Sequence, residues 1–329
     1  MIRVFTQAYP YSLPTCPDIL VRPNNSYTVV NSTTEYGHED RCQAIATTQD
    51  VGKTINRFLG ERVVAEGLIF RSARPDDATL SDRKRLQDEF GINTIMDLRT
   101  VTEHANQAKK RAGDLEIPAL LQSNSALAEP VKIPGINYLE INVNGKGFER
   151  SLLWKLKFWS FIKLISLMVI GRRMAAISIL GREVLRPRGL VGLGHDSLTY
   201  CGPEISQCLL SFLSPSTIPP AILIHCTQGK DRTGLIITLL LLILKVPVEA
   251  ITKDYVMSEK ELESERTERL KEIASIGLGE EFADCPGDWV EEQEKFLREK
   301  YGGLGKYLRE IGVSEVQEEE LRKVLGWKA

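Results

Sequence analysis

The sequence predicts an α/β layered domain: a central sheet flanked by helices, with a helical last third. Three observations predict it. Short apolar runs of strand character alternate with longer stretches of helical composition. One strongly apolar helix candidate, GLIITLLLLIL (234–244), follows directly behind a short apolar run and a glycine-bearing turn. From Val248 onward the chain is almost wholly helical in composition, as in ELESERTERLKEIASIG (261–277) and DWVEEQEKFLREKYGG (288–303).

Taken in order, residues 1–50 are rich in Pro, Ser, Thr, Asn and Tyr without periodicity, which predicts an extended or partly disordered leader. GLIFRS (67–72) reads as a short strand. TLSDRKRLQDEFG (79–91) reads as a helix with Thr79 or Ser81 as N-cap and Gly91 just past its end. NTIMDLR (93–99) is a second strand, followed by a charged stretch from Thr102 to Arg111. INYLEINV (136–143) and AILIH (221–225) are further strands. A helical insertion is expected at about 148–190. Within it, Leu152–Ile170 places Trp154, Phe158, Phe161, Ile165 and Met168 on one helical face. Lys155, Lys157 and Lys163 make it amphipathic rather than membrane-spanning. Packing against the core is its expected use, with a lid or a membrane-surface contact as the alternatives.

Composition narrows the function. The 329 residues are 43% hydrophobic and 26% charged, ordinary for a globular protein, and the formal net charge of −2 gives no sign of a general nucleic-acid binder. Six cysteines, at 16, 42, 201, 208, 226 and 285, form no CxxC pair and no zinc-ligand spacing, so reduced thiols in the cytosol are expected. The start, MIRVFTQAYPYSLPTC, lacks the apolar core of a signal peptide, and the sequons at Asn24 and Asn31 read as chance. The four histidines, at 38, 104, 195 and 225, have no metal-ligand spacing, and neither metal nor cofactor is expected.

The chemistry is carried by AILIHCTQGKDRTG (221–234). A bare Cys-x5-Arg spacing is weak, and a second copy, CPDILVR (16–22), lacks glycine and is read as accidental. At Cys226 the neighbours His225, Gly229, Lys230, Asp231, Thr233 and Gly234 are also in place. A strand ending at His225 delivers Cys226 to the lip of the sheet, and a helix beginning near Thr233 points its N-terminus back at it. The backbone N–H groups of Thr227, Gln228, Gly229, Lys230, Asp231 and Arg232, with the helix dipole, would then cradle an anion and favour a Cys226 thiolate. A thiolate attacks phosphorus, and Arg232 offers a planar fork to two phosphate oxygens. Gly229 permits the turn, and Gly234 lets the helix start pack closely.

This stretch resembles the loop of the protein-tyrosine-phosphatase superfamily, and most closely its bacterial and fungal tyrosine phosphatase-like family, whose loop reads HCxxGKDRTG. FRSARPDDATLSDRKRL followed by GINTIMDLRTVTEH looks like that family's N-terminal block, and DYVMSE (254–259) looks like the segment after its loop helix. The similarity runs from about residue 51 to the C-terminus. INRFLGER (55–62) departs from the NxRDxGG of many bacterial members. The resemblance implies a protein-tyrosine-phosphatase-like fold and a phosphocysteine intermediate on Cys226, with Arg232 holding the phosphoryl group. It also implies that Thr233 donates to the departing thiolate and that His225 orients the loop from behind.

The general acid is left between Asp231 and Asp196, with Asp97 or another group as the remaining alternative. Asp231 is placed as in the CxxGxDR loops of myotubularin-like lipid phosphatases; Asp196, in GLGHDSLT, has the spacing of a separate acid loop. Asp97 and Arg99 are read as an ion pair at a strand end. Lys230 reads as an extra cation for a polyanionic substrate, with Arg71 and Arg74 as further candidates. The expected substrate is phosphotyrosine in a protein, with phosphoserine/threonine in addition and a phosphoinositide or inositol phosphate as the alternative. A catalytically dead phospho-ligand scaffold is disfavoured by intact Cys226, Arg232 and Thr233. A rhodanese-like sulfurtransferase is disfavoured by the Arg-Thr-Gly that opens the helix. An accessible thiolate would be open to reversible oxidation; Cys201 and Cys208 read first as ordinary buried thiols, with a resolving partner as the alternative role.

Overall fold

A computed structural model describes residues 48–115, 131–213, 219–261 and 266–327. The expected leader, its sequons and the Cys16 copy of the motif lie outside the described residues, apart from the leader's last three positions. Two of those three form β1 (Gln49–Asp50), and the Asp50 carboxylate caps α1 (Val51–Leu59) by accepting from Lys53 N–H at 3.2 Å.

Among the described residues the sheet has five strands in the order β1-β2-β5-β3-β4. Beyond β1, β2 (Ile69–Ser72), β3 (Thr94–Asp97), β4 (Asn137–Glu140) and β5 (Ile222–His225) run parallel, and only the β1–β2 pair is antiparallel. Although last in sequence, β5 sits between β2 and β3, pairing Ser72 with His225 on one side and Asp97 with His225 on the other. The carboxyl ends of three neighbouring strands therefore meet at one sheet edge, where the strand order reverses and open α/β sheets place their sites.

Side-chain alternation divides the core between the two faces. Phe70, Ile95 and Leu223 point to one face, where Leu86 and Ile92 cover them. Ile69, Met96, Ile222 and Ile224 point to the other and pack in the main core with Ile236 and Leu240. The predicted helix at 79–91 is present as α2 (Leu80–Lys84) with one further wider turn to Glu89. Thr79 caps it in a reciprocal pairing with Asp82, and Gly91 follows at φ +65°.

The charged stretch after β3 is α3 (Val101–Leu115). The region of the expected insertion holds α4 (Lys146–Trp154), α5 (Phe158–Val169), α6 (Arg173–Leu180) and the start of α7 (Arg186–Tyr200), which kinks at Gly189. Leu152–Ile170 is thus two helices broken at residues 155–157 rather than one. Its predicted stripe also faces away from the core: Trp154, Phe158, Phe161, Ile165 and Met168 are all exposed, while Leu164 packs with Ala176 and Ile179 of α6. Among the described residues no helix is long and apolar enough to cross a membrane.

After α8 (Gly202–Leu210) and β5 comes α9 (Asp231–Ile243), ten of whose thirteen residues are buried, as its unbroken apolar sequence requires. The last third is helical, with α10 (Val248–Glu261), α11 (Arg266–Ser275), α12 (Trp289–Phe296), α13 (Leu304–Glu310) and α14 (Glu315–Leu325). Since α9 anchors the site, Leu240→Ala, at a fully buried position, is expected to lower unfolding free energy by about 3 kcal/mol in urea titration.

Candidate active site

The turn between β5 and α9 is built around Gly229, whose φ of +71° is a conformation that side chains rarely tolerate. A Cβ there would come within 2.1 Å of the Ser72 carbonyl oxygen. The resulting bend points Gly229 N–H at Cys226 Sγ, 3.2 Å away. Gly234 packs its helix start on Tyr255, which an added Cβ would approach to 3.0 Å. Tyr255 stacks in turn on Trp289 at 4.7 Å.

Behind the loop, Arg71 is buried and donates from Nη2 to the Gly229 carbonyl at 2.9 Å and from Nη1 to Asp254 Oδ2 at 2.8 Å. Gln49 Nε2 donates to the other oxygen of Asp254 at 2.9 Å. Arg71 therefore supports the loop from the rear and does not contribute charge to its mouth, contrary to the sequence reading. Arg74 does line the cavity, with Nη2 3.4 Å from Glu272.

His225 is buried, with Nδ1 3.2 Å from the Cys226 carbonyl oxygen. A carbonyl only accepts, so Nδ1 carries the proton, and burial holds the imidazole below its ordinary titration range. Its Nε2 lies 3.6 Å from Asp97, whose carboxylate is forked by Arg99, and Arg99 also binds Asp76. The Asp97–Arg99 ion pair at the strand end thus forms one side of a buried network. Burial works against the Asp97 charge, but His225, protonated in the acid range where Asp97 titrates, and the Arg99 fork outweigh it and hold its carboxyl at about 2.

Arg232 meets a residue that the sequence reading passed over. Glu103, in the first turn of α3, accepts from Arg232 Nη1 at 2.8 Å and from Nη2 at 2.6 Å, and Leu98 O accepts from Nη1 at 3.1 Å. Thr227 Oγ1 also donates to Glu103. Partial burial works against the Glu103 charge, yet Arg232 and Thr227 keep its carboxyl well below the usual carboxylate range. Of the five guanidinium N–H groups, three are used, leaving Nε–H and one Nη2–H as a free edge of the fork. The spacing of Thr100 and Glu103 was the available signal. Thr100 Oγ1 accepts from Glu103 N–H at 3.2 Å and Glu103 Oε2 accepts from Thr100 N–H at 2.9 Å, a capping box at the start of α3.

A cavity of about 420 Å³ opens on Cys226, Thr227, Gln228, Asp231 and Arg232. Its walls are largely apolar, with Phe148, Leu190, Leu193 and Trp289 among them. Three polar atoms in the loop region are buried and make no hydrogen bond: Gln228 Oε1, Asp231 Oδ1 and Thr233 Oγ1.

Lys230 corrects the sequence reading. It is fully buried and its ammonium donates to the carbonyls of Phe282 at 2.8 Å and Asp284 at 2.6 Å, with Asp231 Oδ1 further off at 3.5 Å. Its charge satisfies the backbone between α11 and α12, and it does not line the cavity. Asp196 lies within α7 rather than in an acid loop. Its carboxylate is held by Lys155 Nζ at 2.6 Å and Arg188 Nη2 at 2.8 Å, and it does not line the cavity. Cys201 and Cys208 also lie off the cavity, and burial pushes Cys201 up to about 12 and Cys208 further. Neither thiol is a ready resolving partner. Among the described residues no group of three or more His, Cys, Asp or Glu side chains gathers as a metal site.

A cysteine and an arginine bracketing a turn between a parallel strand and a helix N-terminus define the class of cysteine phosphatase loops. The chain belongs to the tyrosine phosphatase family, whose model matches residues 48–326. It is 38% identical over 116 residues to a tyrosine-protein phosphatase of Nostoc commune, a match covering 32% of this chain and 39% of that protein. It is 28% identical over 119 residues to the triple specificity protein phosphatase PtpB of Mycobacterium tuberculosis, covering 32% of this chain and 43% of that protein. The matched segment thus spans about two fifths of each relative's length.

The Asp97 network yields a pH prediction. A carboxyl held at about 2 against an ordinary 3.8 contributes stability above its unfolded value and loses it as pH falls through 2. The unfolding free-energy gap between wild type and Asp97→Asn should carry about 2 kcal/mol from this charge at neutral pH. Denaturant titrations at successive pH values should show that part of the gap closing as the pH falls from about 4 to 2.

Proposed function

We propose that this chain is a cysteine-dependent phosphatase acting on phosphotyrosine in proteins, through a phosphocysteine intermediate. The observation that carries the reading is the Gly229 N–H aimed at Cys226 Sγ at 3.2 Å, at the floor of a cavity that Arg232 also lines. Backbone N–H groups at a helix start favour the thiolate over the thiol. In the first step Cys226 Sγ bonds to phosphorus as the bond to the ester oxygen breaks. The free Nε/Nη2 edge of Arg232 takes two of the equatorial oxygens. Asp231, in the first turn of α9 and lining the cavity, gives the leaving oxygen its proton. In the second step water attacks phosphorus, Asp231 recovers a proton from it, and the P–S bond breaks to return thiolate. The unpartnered Thr233 hydroxyl is suited to donate to that sulfur.

Asp231 is the favoured acid because its Oδ1 makes no hydrogen bond and lies 3.5 Å from the nearest cation, whereas both Asp196 oxygens are occupied by cations. The apolar walls favour an aryl leaving group over an inositol polyphosphate, and the inward turn of Lys230 removes the cation on which the phosphoinositide alternative rested. Thiolate chemistry also suits a reducing compartment such as the cytosol.

The test is turnover of p-nitrophenyl phosphate, a phosphotyrosine peptide, a phosphoserine peptide and a phosphoinositide panel, in EDTA with reductant. Cys226→Ser should abolish turnover, and activity surviving that change would overturn the reading. Asp231→Asn should lower kcat by about 10²-fold or more on a peptide ester, while Asp196→Asn should act mainly on stability. If Asp196→Asn instead reproduced the loss, the acid assignment would move to it.

Glu103→Gln keeps the shape of the Arg232 clamp but not its charge. It should lower kcat/KM by about tenfold through looser guanidinium placement, with the unfolding midpoint measured alongside.

A further inference from the structure

The α5–α6 hairpin presents a surface that the reaction does not use. Nine of the twelve residues of α5 are apolar, yet only Leu164 is buried. Trp154 and Trp159 are each 77% exposed and Val169 is 81% exposed, with Phe158 and Ile170 beside them in the same condition. A helix apolar nearly all round is normally enclosed, by a core or by lipid. At twelve residues it is too short to span a bilayer.

The charge around it is one-sided. Between Glu149 and Glu183 the sequence has seven Lys or Arg residues and no Asp or Glu, in a chain whose formal net charge is −2. Lys155 is committed to Asp196 and Arg173 donates to Thr102, but Lys157, Lys163 and Arg172 stand exposed beside the apolar residues.

We infer that this hairpin is a docking surface for an anionic lipid bilayer. Exposed Trp and Phe side chains enter the interfacial layer, and the flanking Lys and Arg meet the phosphate and carboxylate groups of the lipids. The lack of acidic side chains between Glu149 and Glu183 fits a uniformly negative surface better than a protein partner, whose mixed charges would call for both signs. The neighbouring elements tie the surface to the site: Phe148 of α4 and Met174 of α6 line the cavity that opens on Cys226. Docking by this face brings the cavity close to the membrane surface, where phosphorylated groups held at the bilayer are within reach. The docking itself does not depend on the phosphatase reading.

The experiment is co-sedimentation of the full chain with phosphatidylcholine vesicles, with and without phosphatidylserine. Binding is expected on the serine-containing vesicles, with a blue shift of tryptophan emission. Phe158→Ser with Trp159→Ser should weaken partition at least tenfold, and Lys157→Glu with Lys163→Glu should remove the preference for anionic lipid. Turnover of soluble p-nitrophenyl phosphate and the unfolding midpoint should be unchanged in both, since none of these residues lines the cavity. No binding, equal binding to both vesicle types, or binding that survives both double variants would overturn the inference. Since soluble turnover is read separately, failure of docking and failure of the phosphatase reading are distinguishable.

Discussion

The arrangement of the site depends on one buried cation. Arg71 leaves the end of β2 and joins the Gly229 carbonyl to Asp254 on α10, so one guanidinium connects the sheet, the loop and the helix after α9. Burial of such a pair costs more desolvation than a surface pair, and its net contribution to stability is small. Burial raises the Asp254 carboxyl even with Arg71 alongside, in keeping with that cost. The pair is therefore better understood through what it prevents. Gly229 sits in a left-handed conformation against the Ser72 carbonyl, a turn that a side chain could not hold. Arg71 holds the carbonyl that follows Gly229, and the N–H that precedes it points at Cys226 Sγ, so both peptides flanking the turn have a fixed partner.

A similar division governs the floor of the cavity. Arg232 is neutralised by Glu103, so the pair adds little net field at Cys226. The backbone donor that meets the sulfur is Gly229 N–H at 3.2 Å, in the loop just before α9. The guanidinium is thus held along one edge by Glu103 and Leu98, and its Nε/Nη2 edge is left toward the cavity.

Much of this was legible in local pattern. The strands β2, β3 and β5, the capped α2 and the apolar α9 each carry a period or a cap within their own residues. The loop was legible because Cys226, Gly229, Arg232 and Gly234 act within nine positions. The rest depends on partners distant in sequence. Lys230 looks like a substrate cation until Phe282 and Asp284, 52 and 54 positions on, supply its carbonyl partners. Asp196 has an acid-loop spacing, but Lys155 and Arg188 occupy it. Periodicity also cannot say whether an apolar face has a partner, and so the stripe at Trp154, Phe158 and Phe161 read as core although it faces outward.

Glu103 exposes the deeper difficulty. Its capping-box spacing with Thr100 announces a helix start, which is correct and complete as a local account. The same carboxylate is also the partner of Arg232 and Thr227, because β3 and β5 are neighbours and α3 starts where β3 ends. A residue that closes a local cap and a long-range clamp is constrained twice. Moving α3 by a fraction of a turn would leave the cap intact and release the guanidinium. The register of β3 against β5 therefore sets the orientation of Arg232, and the sheet reaches the cavity through Glu103 as much as through the strand that leads into Cys226.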